Sequence, residues 1–321
     1  MKIRPFKIRQ LKIRKAKKKS ERPDNPQRRK RRLKYIAVLP SFITLLNGAL
    51  GFIAIVFASR SAEHQWVLFF TRNNDMTAFA LAAYVIILAM IADMLDGRVA
   101  RLTRTTSSFG GQLDSLSDAV SFGVAPAFLM IMMLEYNLAH ISFGQEHFSS
   151  LIERGIFFSC IIYAMCALLR LARFNVENEE DGTTHMQFVG LPSPSAAGLV
   201  VSLVIFHQHF LHTIDNNLLE MIVVIAFPAI TFLTGILMVS RIRYPHLANQ
   251  LLRGKKSLPG LLFIFATLLF IVWNIQLALL VVFCGYALFG VLRWLFLISF
   301  GRAKSKKAPQ PEPLLTDDDR R

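Results

Sequence analysis

Cysteine is one of the scarcest residues in this chain, and its placement argues against two kinds of stabilising site. The three cysteines, Cys160, Cys166 and Cys284, all lie inside apolar runs, and none has a CxxC neighbour. An odd number of scattered cysteines fits neither a disulfide framework nor a structural zinc site. We therefore expect these residues to act as small hydrophobic side chains.

Acidic residues are also few, since 21 Asp and Glu stand against 37 Lys and Arg. The positive excess is concentrated at the start, where 17 Lys and Arg precede Tyr35 and are opposed only by Glu21 and Asp24. A basic arm of this kind can bind nucleic acid. Here it directly precedes an apolar run, which favours a cytoplasmic anchor that contacts anionic lipid headgroups. We expect no nucleic-acid partner.

The 321 residues contain no recognisable soluble second domain and no internal repeat. A cleavable signal peptide is not expected, because no apolar core with a small-residue cleavage site follows the first charges. Beyond Ala308 the chain is proline-rich and then charged, a composition typical of disorder. The predicted organisation is a basic cytoplasmic arm at 1–34, a transmembrane domain at 35–300 and a disordered cytoplasmic tail at 301–321.

Long hydrophobic runs are the main feature that the chain does have. Its residues are 53% hydrophobic and its mean hydropathy is +0.42, which is too apolar for a soluble domain. Crossing about 30 Å of hydrocarbon takes roughly 20 residues. Apolar runs of about that length occur at 36–58, 77–95, 116–136, 155–173, 191–211, 218–239, 258–273 and 277–300. The sequence therefore predicts an all-α polytopic membrane protein with about eight transmembrane helices.

Positive charge is distributed unevenly among the connections between these runs. Connections on the side of the basic arm are rich in Lys and Arg, whereas 137–151 and 212–217 contain neither. The first connection on that opposite side carries only Arg60 and Arg72. By the positive-inside rule, this asymmetry predicts an even span count with both termini in the cytoplasm. We expect the membrane to be a bacterial inner membrane.

Four aspartates near the facing ends of the second and third spans are the main candidates for chemistry. Asp93 and Asp96 lie three residues apart, and Asp114 and Asp118 lie four apart, so each pair shares one helix face. Carboxylates that converge from two helices repel one another unless cations hold them, and Mg²⁺ favours carboxylates together with substrate phosphates. The spacing predicts a divalent-metal site, and ionisable residues at such depth are functional by default.

Two classes of function use such a cluster, namely ion-coupled transport and metal-dependent transfer of a phosphate-linked group. Gly97 and Ala100 leave a bare strip on the helix after Asp96, which suits a bound pyrophosphate better than an ion pathway. Two metals roughly 4 Å apart would stabilise the leaving phosphate and align an attacking hydroxyl. One carboxylate could accept the hydroxyl proton. Arg101 either contacts phosphate or only follows the positive-inside bias.

A stripe of small and polar residues marks the first span. Thr44, Asn47 and Gly51 follow the helical i, i+3, i+7 spacing. Small and polar residues are enriched where membrane helices pack, but Asn47 is larger than close packing requires. Helix packing and contact between Thr44, Asn47 and a nucleotide substrate therefore both remain open.

The acidic stretch resembles the signature of the CDP-alcohol phosphatidyltransferase family, D-x2-D-G-x2-A-R-x8-G-x3-D-x3-D. Its eight fixed positions are met by Asp93, Asp96, Gly97, Ala100, Arg101, Gly110, Asp114 and Asp118. Three further segments resemble the phosphatidylserine synthase branch of that family. They are Pro40…Thr44…Asn47, Arg170-Leu-Ala-Arg173-Phe-Asn175 and Gly190-Leu-Pro192-Ser-Pro194. The likeness covers about residues 36–200, and an eight-span count suits that branch.

The resemblance implies an enzyme that converts CDP-diacylglycerol and L-serine into phosphatidylserine and CMP. It implies that the four aspartates hold two divalent cations, Mg²⁺ or Mn²⁺, and that Asp118 also acts as general base. Gly97 and Ala100 would lie against the cytidine nucleotide, and we place Arg101, Asn47 and Thr44 in the same nucleotide site. The resemblance also implies a homodimer.

Recognition of serine requires a partner for its carboxylate, and a guanidinium fits a planar carboxylate better than an ammonium does. We expect Arg173, or Arg170 on the same helix face, to serve, with Asn175 nearby. The alternative is that both arginines only follow the positive-inside bias.

Two rival functions stay open. Within the family, the acceptor could instead be glycerol 3-phosphate, an inositol phosphate or choline; from another class, the same acids could build an ion-coupled transporter.

We expect Tyr286 and Trp294 to be interface aromatics. His207 and His209 fall at the outer end of the fifth span, where no metal role is expected, and residues 177–182 are expected to form a loop.

Overall fold

The computed structural model describes residues 26–60, 77–103, 108–141, 146–180, 190–211, 214, 216–242, 244 and 274–305. Within these ranges the chain is helical and contains no strand. Eight α-helices are found. They are α1 (Pro26–Ser59), α2 (Ala78–Thr103), α3 (Ser108–Asp118), α4 (Ala125–His140), α5 (Glu146–Glu180), α6 (Ser193–Phe206), α7 (Asn217–Val239) and α8 (Ile275–Ser305).

Two short π-helical turns interrupt this series. One, π1 (Ala119–Val124), joins α3 to α4 without a break, and the other, π2 (His207–Leu211), continues α6. Because a π turn adds a residue to the repeat, it rotates the side chains that follow it relative to those before it. In the third span, this rotation begins directly after Asp118.

Seven helical stretches of the described chain are long and apolar enough to cross a membrane. They are Ser41–Ser59, Ala78–Val99, Phe109–Ala139, Ser149–Val176, Ser193–Leu211, Asn217–Val239 and Ile275–Phe296. These correspond to seven of the eight predicted spans, which confirms an all-α integral membrane protein. The remaining predicted span, 258–273, lies outside the described residues, so the count of eight stays a prediction.

The small-residue stripe of α1 packs against α3 and π1. A Cβ on Gly48 would lie 3.1 Å from Ser117 Oγ, and one on Gly51 would lie 2.7 Å from Ser121 Cα. Ser121 also donates its hydroxyl to the Asn47 carbonyl over 2.8 Å. Glycine at position 51 is therefore required for close approach of the two backbones, as the packing interpretation predicted.

The entrance to α6 is a fixed turn. Gly190 has a φ of 89°, and its backbone N–H donates to the Ile242 carbonyl over 2.8 Å. Leu191 N–H donates to Leu237 O over 3.0 Å, and Pro192 caps the helix. Small residues at the start of a membrane helix let another chain segment approach closely. At Gly198 that segment is α8, since a Cβ there would collide with the Phe283 ring.

A second polar cluster lies at the other end of α6, away from the turn. His207 is fully buried, and its Nε2 lies 3.1 Å from a carboxylate oxygen of Glu220 on α7. Its Nδ1 lies 3.1 Å from Gln208 Nε2, and Thr77 donates its hydroxyl to Gln208 Oε1 over 2.7 Å. His207 therefore ties α6 and α7 together inside the bundle, while His209 is half-buried.

Two helices run further than the sequence predicted. α5 continues to Glu180 through most of the segment expected to be a loop at 177–182, and residues 181–189 lie outside the described chain. α8 continues five residues beyond the predicted boundary at 300, to Ser305. Apolar periodicity ends where the membrane ends, whereas a helix can extend into water, so hydropathy alone places such boundaries too early.

Candidate active site

The acidic cluster forms where α2 and α3 come together. Asp93 of α2 and Asp114 and Asp118 of α3 each offer one carboxylate oxygen, and these three atoms all lie within 4.8 Å of one another. Helical spacing within each element explains the arrangement, because side chains three or four residues apart share a face. The predicted convergence from two helices is therefore present for these three aspartates.

Asp96 lies beside this trio rather than within it. It is buried, and its charge acts on Asp93, Asp114 and Asp118. Its carboxylate accepts hydrogen bonds from the Thr44 hydroxyl and the Gly97 backbone N–H. Its Oδ2, like Asp114 Oδ1, is buried without a protein partner. The fourth predicted aspartate thus belongs to the same pocket and retains an unused acceptor.

Helix α1 supplies the polar contacts that fix these carboxylates. The Asn47 side-chain amide donates to Asp118 Oδ1 over 3.0 Å, and Asn47 is fully buried. Its own Oδ1 is buried without a protein partner. Thr44, one turn earlier, is hydrogen-bonded to Asp96. Packing and site contact were alternatives for this stripe, and the structure assigns Gly51 to packing and both polar residues to the aspartates.

The strip of small residues predicted on α2 has unfilled space beside it at Gly97. A Cβ built there would meet no atom within 4 Å, in contrast to the tightly packed Gly48 and Gly51. Gly97 directly follows Asp96, and its backbone N–H is hydrogen-bonded to the Asp96 carboxylate. The side chains of Ala100 and Arg101 lie outside the part of the chain that the structure describes, and their predicted nucleotide contacts stay predictions.

The two arginines of α5 do not share one environment. Arg170 Nη1 donates to Ser193 Oγ at the start of α6, and the guanidinium lies within electrostatic reach of Asp118. Arg170 Nε is buried without a protein partner. Arg173 is exposed. Three residues turn a helix by about 300°, so the two side chains point only about 60° apart, and which of them binds the serine carboxylate stays a prediction.

One contact near the pocket was not predicted. Ser115 of α3 donates its hydroxyl to Asn175 Oδ1 of α5 over 2.8 Å. Ser115 lies next to Asp114 in the chain, so Asn175 ties α5 to the helix that carries two of the aspartates. The sequence placed Asn175 near an acceptor, but no local signal connected it to Ser115, 60 residues away.

The residues of this pocket suit a divalent cation. Two like charges about 5 Å apart repel by roughly 3 kcal/mol at an effective dielectric constant of about 20. Three carboxylate oxygens within 4.8 Å therefore oppose folding when no cation is bound. The buried, unpartnered oxygens of Asp96 and Asn47 supply further hard ligands. Among the described residues, this is the one group of three or more His, Cys, Asp or Glu that could hold a metal.

Comparison with known proteins adds an independent observation. The family model described as CDP-alcohol phosphatidyltransferase matches residues 37–242. The chain belongs to the CDP-alcohol phosphatidyltransferase family. The matched segment contains every site residue described above.

Similar members of this phosphatidyltransferase family are named CDP-diacylglycerol–serine O-phosphatidyltransferase. The protein of that name from Helicobacter pylori strain 26695 is 34% identical over 272 residues, covering 84% of this chain and 97% of its own. The one from Methanocaldococcus jannaschii is 32% identical over 264 residues, covering 82% and 97%. The Saccharomyces cerevisiae protein is 35% identical over 173 residues, covering 51% and 52%.

The segment that defines this phosphatidyltransferase family ends before α8 begins. Family membership thus accounts for the acidic cluster and for α1 to α7 beyond position 37, but α8 at Ile275–Ser305 lies outside the match.

Proposed function

We propose that this protein transfers the phosphatidyl group of CDP-diacylglycerol to the hydroxyl of L-serine, giving phosphatidylserine and CMP. The observation that carries the proposal is the trio Asp93, Asp114 and Asp118, whose oxygens lie within 4.8 Å beside the open space at Gly97. The names of relatives that align along 97% of their length support serine as the acceptor. Family membership favours this chemistry over the ion-coupled transporter.

The reaction forms one bond and breaks one. The serine hydroxyl oxygen attacks the phosphorus that carries the diacylglycerol, the P–O bond to the CMP phosphate breaks, and CMP leaves with that electron pair. The hydroxyl proton passes to Asp118, in the role of general base. Asn47 supports this role because it holds Asp118 Oδ1 from the side of α1, which fixes the direction of the carboxylate.

Two divalent cations, Mg²⁺ or Mn²⁺, complete the proposed site. When bound, they would neutralise the pyrophosphate and stabilise the charge that develops on the leaving phosphate. Asp93, Asp114 and Asp118 would hold one of them, and Asp96 would contribute to the second through its unused Oδ2. Thr44 supports this arrangement because its hydrogen bond to Asp96 orients that carboxylate.

We place the nucleotide along α2. Gly97 leaves room for it next to Asp96, and Ala100 and Arg101 follow on the same helix. Thr44 and Asn47 border the pocket from α1, although the bonds that they make are to aspartates. In this arrangement the two α1 residues act on the nucleotide mainly by positioning the carboxylates that face it.

We assign the serine carboxylate to Arg170. One guanidinium nitrogen is already bound to Ser193, and the buried Nε has no protein partner. A buried donor without a partner costs about 1–3 kcal/mol, so a ligand oxygen at Nε would be favourable. A carboxylate can take both Nε and the neighbouring nitrogen in a bidentate pair. Arg173 and Asn175 would then border the acceptor site rather than hold it.

The protein is proposed to be a homodimer in a bacterial inner membrane, with its active site facing the cytoplasm. The basic arm at 1–34 is proposed to bind anionic lipid headgroups. α1 is 34 residues long, or about 50 Å, which exceeds the roughly 30 Å of hydrocarbon. Its apolar run begins at Ile36, directly after the basic residues, which supports placing the arm at the membrane surface. Deleting residues 2–25 should weaken the dependence of activity on anionic lipid; equal dependence would contradict this role.

An acceptor panel tests the proposed function. CMP release by the purified protein is measured with CDP-diacylglycerol, Mn²⁺ or Mg²⁺ and one acceptor at a time: serine, glycerol 3-phosphate, an inositol phosphate or choline. Serine-dependent release that is lost in Asp118→Asn is expected. Release with another acceptor instead would leave the chemistry in place and contradict the assignment of serine, and no release with any of them would contradict both.

A further inference from the structure

Helix α8 is held against α6 and against Tyr244 by two contacts between an aromatic ring and a glycine. The Phe283 ring of α8 lies on Gly198 of α6, and the Tyr244 ring lies on Gly290 of α8. A Cβ at either glycine would collide with the ring that covers it. Because each glycine is in close contact with a ring, these two contacts define the position of α8 against α6 and against the segment after α7.

The segment after α7 holds both α8 and the turn that leads to Ser193. Ile242 O accepts from Gly190 N–H over 2.8 Å, which fixes the turn. Two residues further on, Tyr244 donates its hydroxyl to Ala287 O of α8 over 3.4 Å. Burial raises the pKa of Tyr244 to about 12, so this hydroxyl keeps its proton at any physiological pH. The start of α6 and the middle of α8 are thereby fixed to the same short segment.

Tyr286 is the α8 residue that this arrangement brings to Arg170. Its ring centroid lies 5.5 Å from that of Tyr244, and its phenol lies within electrostatic reach of the Arg170 guanidinium. The same guanidinium reaches Asp118 electrostatically and bonds to Ser193. The expectation that Tyr286 is an interface aromatic is thus corrected: its phenol belongs to the inner surface of the bundle, next to the candidate site.

We propose that Tyr286 is a positioning residue that holds the Arg170 guanidinium toward the serine site, so that α8 completes an acceptor pocket lying otherwise within residues 37–242. The proposal rests on the proposed function. A long arginine side chain loses much rotamer freedom when it is held in one geometry. The phenolic oxygen can accept from a guanidinium N–H while Ser193 takes Nη1, and the unpartnered Nε then stays available for the substrate carboxylate.

The test compares Tyr286→Phe with Tyr84→Phe. Tyr84 on α2 also bonds a residue at the start of α8, Gln276, so the control likewise removes a hydroxyl that ties α8 to the bundle. Purified variants are assayed for CMP release with serine and CDP-diacylglycerol varied separately, and thermal unfolding in detergent checks that each is folded. Tyr286→Phe should raise the KM for serine roughly ten-fold, as loss of a hydrogen bond to a charged group does, and leave the KM for CDP-diacylglycerol unchanged.

A double-mutant cycle separates positioning from a general effect on folding. In an Arg170→Lys background, Tyr286→Phe should change the serine KM by less than two-fold, because the group that it positions is gone. A serine KM equal to that of the wild type in Tyr286→Phe, or an equal rise in Tyr84→Phe, would overturn the inference while leaving the proposed function intact. Wild-type protein that releases no CMP with serine would overturn both.

Discussion

The Asn47 amide donates to Asp118 Oδ1 across 3.0 Å and so joins the first span to the acidic cluster. The two residues are 71 positions apart. The contact occupies one oxygen of the proposed base, Oδ1, and does not involve Oδ2. It also explains why a residue as large as asparagine occupies a stripe that otherwise packs closely: the stripe both approaches α3 and orients one of its carboxylates.

Replacing Asn47 should therefore impair the reaction more than the fold. Asn47→Ala leaves Asp118 Oδ1 without its donor, so we expect kcat to fall about 10- to 100-fold, in line with the loss of a hydrogen bond to a charged group. Asn216→Ala is the matched control, because Asn216 caps α7 by accepting from Leu218 N–H. That variant should cost about 1 kcal/mol of unfolding free energy and leave kcat unchanged. Full activity of Asn47→Ala would contradict the assigned role.

Removal of divalent cations should destabilise the protein, because Asp93, Asp114 and Asp118 are left to repel one another. We expect chelation by EDTA to lower the midpoint of thermal unfolding and Mn²⁺ to restore it. Asp114→Asn removes one of the repelling charges, so its midpoint in EDTA should equal or exceed that of the wild type, while its activity falls at least 100-fold. Glu153→Gln, at an exposed position of α5, should retain the wild-type response. An identical midpoint of the wild type with and without Mn²⁺ would count against a metal in the pocket.

Gly97 and Gly51 form a matched pair for distinguishing substrate space from packing. Gly97→Ala places a Cβ in open space, so the fold should be kept, and slightly stabilised, because alanine favours a helix over glycine by about 1 kcal/mol. If the nucleotide lies there, the KM for CDP-diacylglycerol should rise about ten-fold or more. Gly51→Ala should instead lower unfolding stability by about 1–3 kcal/mol, because its Cβ would lie 2.7 Å from Ser121 Cα. If Gly97→Ala keeps the wild-type KM for CDP-diacylglycerol, the nucleotide does not bind along this part of α2.

The two arginines of α5 should differ in their effect on serine. Arg170→Lys keeps the charge but loses the planar fork, so we expect the KM for serine to rise at least ten-fold with little change in the KM for CDP-diacylglycerol. Arg173→Lys, at an exposed position one turn away, should change the serine KM less than three-fold. The reverse order of effects, measured as initial rates over a serine titration, would restore the sequence-based preference for Arg173.

The sequence predicted that four aspartates converge, and the three that do so could be predicted because the information is local. Two pairs of aspartates at helical spacing determine their own shared faces, and a hydrophobic run determines its own span. For Asn47 the sequence left two alternatives, helix packing and contact with substrate, because no short-range pattern shows which helix a side chain faces. The same limit applies to Ser115 and Asn175, which are joined only by packing of α3 on α5.

Tyr286 shows where sequence reasoning was wrong for a physical reason. An aromatic residue near the end of an apolar run usually sits at the membrane interface, but Tyr286 lies in the middle of Ile275–Phe296. Its position beside Arg170 depends on how α8 docks, which depends in turn on two glycines, Gly198 and Gly290, in different parts of the chain. Glycine in a membrane helix signals close approach, but it does not identify the partner.

The most direct test of the central claim follows the serine hydroxyl oxygen through the reaction. Purified protein is given CDP-diacylglycerol, Mn²⁺ and serine labelled with ¹⁸O in its side-chain hydroxyl, and both products are analysed by mass spectrometry beside an Asp118→Asn control. Attack of that oxygen on the lipid-bearing phosphorus predicts that the label appears in phosphatidylserine, that CMP carries none, and that the control yields neither product. Label in CMP, phosphatidylserine without label, or undiminished product from Asp118→Asn would contradict the account.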